Sequence, residues 1–572
     1  MRPLAFAFAL ALFAAPALAL FAAPALAQPL GLPDGPPYVL TGATIYTVDR
    51  ANPTAEALAV GAMGEVVAVG TEADVLAAYP DWPRASAEGR AVIPGLIDAH
   101  GHLMGFGETL LQADLVEAAS IEEIVERLRQ FADGLPEGAW LVGRGWDQND
   151  WPAQPDGSHP FPTRADLDSA FPNRPVALTR IDGHALWANT AAMVAAGLDP
   201  ETPAPADPED GQFLRDDRGR PTGVFVDAAE LVVTDAIPTL SAETRAEALT
   251  RALAETARHG LTGVHEAGIP IALLPLYERL ITEGRFPIRN YAMLSMDQLG
   301  TFCKAYPEGY EGNARLRVQS LKVYSDGALG SRGAALLADY SDDPGNTGLL
   351  FQNTETLTRT VTQAMNCGLQ VNSHAIGDRG NRAVLDAYEA AMETTGGGLG
   401  RHRIEHAQVM SLPDIERMAR LGIIASVQPT HATSDMPWAE MRVGPERIKG
   451  AYAWRRIVDA GARIALGSDF PVERVAPLLG FHAAVTRQDA EMNPAGGWYG
   501  NQVLSREEAL RGFTLDAAYA GFMEDEVGSL EPGKRADFVI LSQDLMRVPP
   551  EEILATEVLA TVIDGTPVFV AE

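Results

Sequence analysis

His100 and His102 stand two residues apart in the segment LIDAHGHL, at the end of an apolar run. Side chains two apart on an extended strand share a face, so both imidazoles offer a nitrogen to the same metal ion. Three more candidates end similar runs: His374 in LQVNSHAIGD, His406 in RIEHAQV and Asp469 in IALGSDFPV. One buried histidine is commonly a hydrogen-bonded core residue. Four histidines and an aspartate at strand ends are costly to bury together unless a cation satisfies them. Lys322 lies inside the apolar run of SLKVYSDGALGSRG. Burial there depresses the pKa of an ammonium and leaves a neutral amine. Such an amine reacts with CO2 to form a carbamate, whose two oxygens can bridge two divalent ions. The alternatives are a lysine that snorkels to water or an ion pair with Asp326. Two metals sharing a bridging hydroxide provide a nucleophile at neutral pH and polarise a carbonyl. Asp469 is then the group that takes the hydroxide proton and returns it to a leaving nitrogen. No Ser/His/Asp or Cys/His nucleophile pattern competes, and the glycines of GDRG and GALG form no phosphate cradle.

These residues need elements that bring them to one place. Eight strand-like runs follow one another at 95–102, 260–268, 287–294, 320–327, 369–378, 402–409, 423–430 and 463–470, mostly separated by helical stretches. That alternation predicts an α/β chain folded as a (β/α)8 TIM-like barrel, with its chemistry at the C-terminal ends of the strands. A doubly wound sheet would need an early Gly-rich phosphate loop, which is missing. The stretch 105–258 is too long for one barrel connection and predicts an inserted subdomain after the first barrel strand. Short strands and turns fill both chain ends, so 38–94 and 516–572 are expected to form a small β-sandwich around a barrel spanning 95–515.

The chain has 572 residues with 44 Lys+Arg against 76 Asp+Glu, a net charge of −32. A surface so acidic, with no Lys/Arg run, excludes nucleic acid as a partner. Whether the chain forms a homo-oligomer is open. Residues 1–27 read as a signal peptide: Arg2, then an Ala/Leu/Phe run in which the octet LFAAPALA occurs twice. Cleavage after Ala27 of the A-L-A site is expected, against the alternative of a membrane anchor. The mature protein would then be periplasmic or secreted, without a stable membrane anchor. Cys303 and Cys367 are the only cysteines; pairing in an oxidising compartment and free buried thiols both stay open.

The segments PGLIDAHGH, LKVYSDGALGSRGAAL, NSHAIGDRGNR, RIEHAQ, GSDFPVE and GSLEPGKRADFVIL, in this order, resemble the amidohydrolase superfamily, specifically its family-3 branch, which includes N-substituted formamide deformylases. The resemblance runs from about Tyr38 to the C-terminus. It implies a barrel, a small β-sandwich and one or two divalent metals at the barrel mouth. Zinc is the expected ion, with manganese, cobalt or nickel as alternatives. It further implies that His100, His102 and Asp469 bind one metal, that His374 and His406 bind a second, and that carboxylated Lys322 bridges them. In that family the insertion lines the substrate pocket, which makes Trp146 and His184 candidate substrate contacts. Gln428 is a further candidate at the predicted rim, and Asp147, Asp182, His265 and Glu266 are weaker ones. His159, His402, His431 and His482 are assigned to structure or surface. The function so implied is hydrolysis of a C–N bond in an amide-like small molecule: an N-substituted amide, a formamide or an N-acyl compound. The alternatives are a carbamate, lactone or ester on the same site, or a non-catalytic binding protein on the same scaffold.

Overall fold

The protein is described from a computed structural model, which covers residues 30–136, 138–155, 158–181, 185–208 and 211–571. The expected export segment and its Ala27 cleavage point lie outside these residues. Among the described residues, no helix is long and apolar enough to cross a membrane.

Eight parallel strands make one sheet in sequential order. They are β1 (Leu96–Gly101), β2 (Leu261–Ile269), β3 (Arg289–Ser295), β4 (Leu316–Tyr324), β5 (Gln370–Ala375), β6 (Arg403–His406), β7 (Ile424–Val427) and β8 (Ile464–Leu466). Every one falls within or overlaps a run read from the sequence. The sheet curls into a nearly closed barrel whose seam lies between β8 and β1. There the Asp98 carboxylate accepts the Ser468 backbone N–H at 3.1 Å and the Ser468 hydroxyl at 2.6 Å, and the Asp469 N–H donates to the His100 carbonyl at 2.7 Å. Gly467 permits this approach, because a Cβ there would sit 2.6 Å from Asp98 Oδ1 and from the His100 nitrogen. Burial pushes the Asp98 carboxyl up to about 7, against the pull of the Ser468 bonds.

The insertion carries its own sheet of six strands. It starts at Ala113–Asp114, includes Leu141–Trp146, Val176–Arg180 and Ala185–Ala188, and ends with the hairpin Gly211–Arg215 and Pro221–Asp227. Its span is shorter than the 105–258 expected. The helices Leu103–Thr109 and Ala242–Arg258 belong to the barrel, because Leu103, Met104, Leu249 and Leu253 are buried in the barrel core. Their amphipathic pattern does not say which surface the apolar stripe covers.

Both chain ends meet in two sheets. The N-terminal part alone supplies a four-stranded sheet; a six-stranded one joins Thr44–Tyr46, Thr54–Ala55 and Ala91–Pro94 to Phe538–Leu541, Val558–Ile563 and Thr566–Val570. Tyr38, Leu40, Leu58, Phe538 and Val562 fill the space between them. The helix Leu515–Ala520, expected with this sandwich, instead packs Ala517 and Ala518 against Ile97, Tyr291 and Ile424 of the barrel. Arg289 at the start of β3 grips Asp537 with two bonds of 2.9 and 3.0 Å and so ties barrel to sandwich. Cys303 and Cys367 form a disulfide with Cα atoms 5.9 Å apart.

Candidate active site

At the C-terminal ends of the strands, His100, His102, Lys322, His374, His406 and Asp469 line one cavity of about 420 Å³. One ligand atom each from His100, His406 and Asp469 lie within 4.8 Å of one another. Two of these positions require unusual backbone: His406 has φ 75° and Asp469 φ 63°. These left-handed residues swing the chain sharply off β6 and β8 at the mouth, at a cost of about 1–3 kcal/mol each.

The surroundings of each ring decide which nitrogen faces the cavity. His100 Nδ1 donates to Glu405 Oε2 at 2.5 Å, leaving Nε2 as the acceptor, and Lys322 Nζ donates to it at 2.9 Å. His102 lies one residue past β1, where Nδ1 donates to the Ala267 carbonyl at 3.0 Å and Nε2 faces Asp469 Oδ1 at 3.0 Å. His406 Nδ1 donates to Gln428 Oε1 at 2.8 Å. His374 Nε2 is buried without a hydrogen-bond partner and lies 3.7 Å from Asp326 Oδ1. A lone pair of His102 and a carboxylate oxygen 3.0 Å apart repel each other unless a proton or a cation lies between them. Burial lowers the pKa of His100, His374 and His406, with Lys322 adding to the effect; for His374 the value falls to about 3. The rings are therefore neutral donors of lone pairs, the form a metal requires. A divalent cation fits this donor set.

Lys322 is 1% exposed and sits on β4 opposite Asn372 of β5. Burial is the main cause lowering its pKa, opposed by Glu405 and Asp469. The alternative pairing with Asp326 is not made. Asp326 instead accepts the backbone N–H groups of Ala335, Ile376 and Gly377 at 2.8–3.0 Å, tying three segments together beside His374.

Several expectations need correction. Trp146 does not reach the cavity. It is fully buried in the core of the insertion, stacked on Trp151 with its indole N–H donating to the Leu178 carbonyl. Gln428 is 3% exposed and stands behind His406, fixing that ring and not meeting a ligand. His184 and Asp182 lie outside the described residues. Asp147 pairs with Arg180 inside the insertion at 2.5 Å. His265 meets Arg403 at 3.0 Å deeper in the barrel, and Glu266 accepts the Met104 N–H and the Tyr277 hydroxyl. His159, His402 and His482 make contacts remote from the cavity: with the Gln148 carbonyl, with the Val371 N–H and Gly397 carbonyl, and with Met492 sulfur.

His431, read as structural, belongs to the cavity. Its ring stacks on His406 at 5.8 Å and its Nε2 comes within 3.8 Å of Asp469 Oδ2. It follows the predicted strand 423–430 by one residue, a position that does not by itself say where the ring points. Glu405 is a further site residue that the sequence does not single out: it shares a face of β6 with Arg403, which meets His265 inside the barrel, and it meets His100. Tyr324, Leu329, Ile376, Trp438, Asp435 and Glu473 complete much of the wall.

The family model described as Amidohydrolase family matches residues 85–569. YtcJ of Bacillus subtilis (strain 168) is 35% identical over 502 residues, covering 86% of this chain and 91% of its own. N-substituted formamide deformylase of Arthrobacter pascens is 29% identical over 549 residues, 92% of this chain and 97% of its own. The crystal structure of an uncharacterized metal-dependent hydrolase from Pyrococcus horikoshii superposes with a TM-score of 0.74 at 29% identity, covering 90% of this chain and 99% of that one. With the match extending from the N-terminal sandwich through every barrel strand to the final strand, the chain belongs to the Amidohydrolase family.

Proposed function

We propose that the protein is an exported hydrolase that cleaves the C–N bond of an amide-like small molecule at a divalent-metal centre in the barrel mouth. The observation that carries this reading is the convergence of six candidate ligands on one cavity, with the rings of His100, His102 and His406 each held at Nδ1 by an acceptor behind it so that Nε2 is turned toward the other candidate ligands. The name of the Arthrobacter relative, a deformylase of N-substituted formamides, agrees with the bond type. A divalent ion held here supplies Lewis acidity, lowering the pKa of water and polarising a carbonyl.

The residues of the chain do the rest. His100, His102, His374, His406 and Asp469 hold the ion or ions, zinc being the ion proposed for this donor set. Lys322 is proposed to carry a carbamate: burial lowers the pKa of its amine, which favours the neutral form that reacts with CO2. The Asp469 carboxylate accepts a proton from the attacking water and passes it to the departing nitrogen. Water's oxygen thus joins the carbonyl carbon, the C–N bond breaks, and the products are a carboxylic acid and an amine. Export is supported by the Ala-Leu-rich leader and by the paired cysteines, since disulfides persist in oxidising compartments.

The test is to incubate zinc-loaded protein with formamides, N-acyl amines, carbamates and lactones and to quantify the products. Equimolar amine and carboxylic acid from an amide are expected. Turnover of lactones or esters alone would replace the amide reading.

A further inference from the structure

Beyond the reacting centre, the cavity is strongly one-sided in charge. Asp435, at the end of the helix Pro429–Asp435 after β7, and Glu473, on the loop after β8, both line it. Each is held in place: Asp435 Oδ2 accepts the Tyr452 hydroxyl at 2.6 Å and Gln408 Nε2 at 3.0 Å, and Glu473 Oε1 accepts the Ser434 hydroxyl at 2.7 Å. Among the described lining residues, the only lysine or arginine is Lys322, which is committed to the candidate metal end. Arg442 and Arg474 are not among the lining residues: Arg442 lies against the Trp438 ring and pairs with Asp342, and Arg474, next to Glu473 in sequence, is a largely exposed side chain 4.0 Å from Glu117. The rest of the wall mixes the apolar side chains of Trp438, Leu329 and Val472 with the uncharged polar ones of Tyr324, Gln408 and Ser434. The whole chain, at −32, adds a field of the same sign.

We propose that this cavity selects amides whose non-reacting end is an apolar or aromatic body carrying a cationic group, and that Asp435 and Glu473 are the selecting residues. A ligand ammonium there gains two carboxylate partners and an aromatic face. A ligand carboxylate meets two like charges and no cation beyond the reacting centre. N-acyl amino acids are therefore poor substrates, although their amide bond is the right one. This inference rests on the amidohydrolase reading and narrows it.

The experiment compares N-(4-aminomethylbenzyl)formamide with N-(4-carboxybenzyl)formamide on the zinc-loaded full chain. The cationic compound is expected to have a kcat/KM at least ~100-fold higher, and Glu473→Gln is expected to cut that ratio at least ~10-fold by lowering one value and raising the other. Asp435→Asn should shift the ratio in the same direction. A general loss of fold would lower both values together and leave the ratio unmoved. Equal rates, preference for the carboxylate, or a ratio untouched by both substitutions in variants whose circular-dichroism melts match wild type overturns the proposal. If no amide is turned over, the amidohydrolase reading falls, and the charge selection is read from calorimetric binding of the cationic amide. Its Kd should rise at least ~5-fold in Glu473→Gln, and an unchanged Kd overturns the proposal on its own.

Discussion

Replacing Glu405 by Gln should weaken metal binding at a residue that is not itself a candidate ligand. Glu405 is wholly buried on β6, and Oε2 accepts the His100 Nδ1 proton at 2.5 Å. A ring that donates its Nε2 lone pair to a cation takes on positive charge, and the carboxylate behind it stabilises that charge. At about 3 Å and an effective dielectric of about 20, a full pair of unit charges is worth about 5 kcal/mol. If the ring carries roughly a third of a charge, about 2 kcal/mol is at stake, or ~20-fold in affinity. Glutamine keeps the shape and an acceptor oxygen, so the His100 tautomer survives and only the charge is removed. The assay is chelator competition for zinc on wild type and Glu405→Gln. Glu266→Gln serves as control, since Glu266 is an equally buried barrel carboxylate whose hydrogen bonds go to Met104, Tyr277 and Asn290 and which acts on His102 only through space. Glu405→Gln should raise the zinc Kd ~10–100-fold and the control less than ~3-fold. A Kd within about twofold of wild type in Glu405→Gln, or equal losses in both variants, would refute the reasoning.

Two further predictions concern the frame around the site. Gly467→Ala places a Cβ 2.6 Å from Asp98 Oδ1 and from the His100 nitrogen, so the barrel seam must open; denaturant melts should show a loss of about 2–3 kcal/mol. Burial, chiefly, raises the Asp435 carboxyl to about 6 from 3.8. The folded state thus favours the protonated acid, and the associated stability is present below about pH 4 and lost as pH rises through about 6. Asparagine does not titrate, so the stability of metal-free wild type relative to Asp435→Asn should fall by about 3 kcal/mol between pH 4 and pH 7. A constant difference across that range would show that the buried acid is not coupled to folding.

The barrel was legible because each strand is an apolar run, and six of the eight carry a charged or metal-binding side chain near the end. Period two puts His100 and His102 on one face, while Lys322 and His374 are read from their place in or at the end of apolar runs; all four line one cavity. The same rule, counted back from His406, puts Glu405 on the opposite face; both residues reach the site because His406 leaves the strand backbone at φ 75° while Glu405 stays on it and meets His100. His431 is illegible for another reason: it is the third residue of the helix Pro429–Asp435 after β7, and sequence spacing says nothing of a ring stacked across a gap onto His406. Trp146 misled because a tryptophan beside acidic residues suits a binding rim as well as a core; the rings of Trp151 and Trp187 that enclose it come from segments 5 and 41 residues away in number but adjacent in space. The limits of the insertion were illegible because Ala242–Arg258 has the same amphipathic pattern whether it covers the barrel or the inserted sheet.

The most direct test of the account is metal titration followed by two readouts on the same sample. Protein stripped with a chelator is refilled stepwise with zinc, and bound metal and amide hydrolysis are measured at each step. The account predicts that stripped protein is inactive and that hydrolysis returns in proportion to bound metal up to about one to two equivalents per chain. It predicts also that Asp469→Asn stays inactive at any zinc concentration. Full hydrolysis by metal-free protein, or activity that does not follow bound metal, would contradict it.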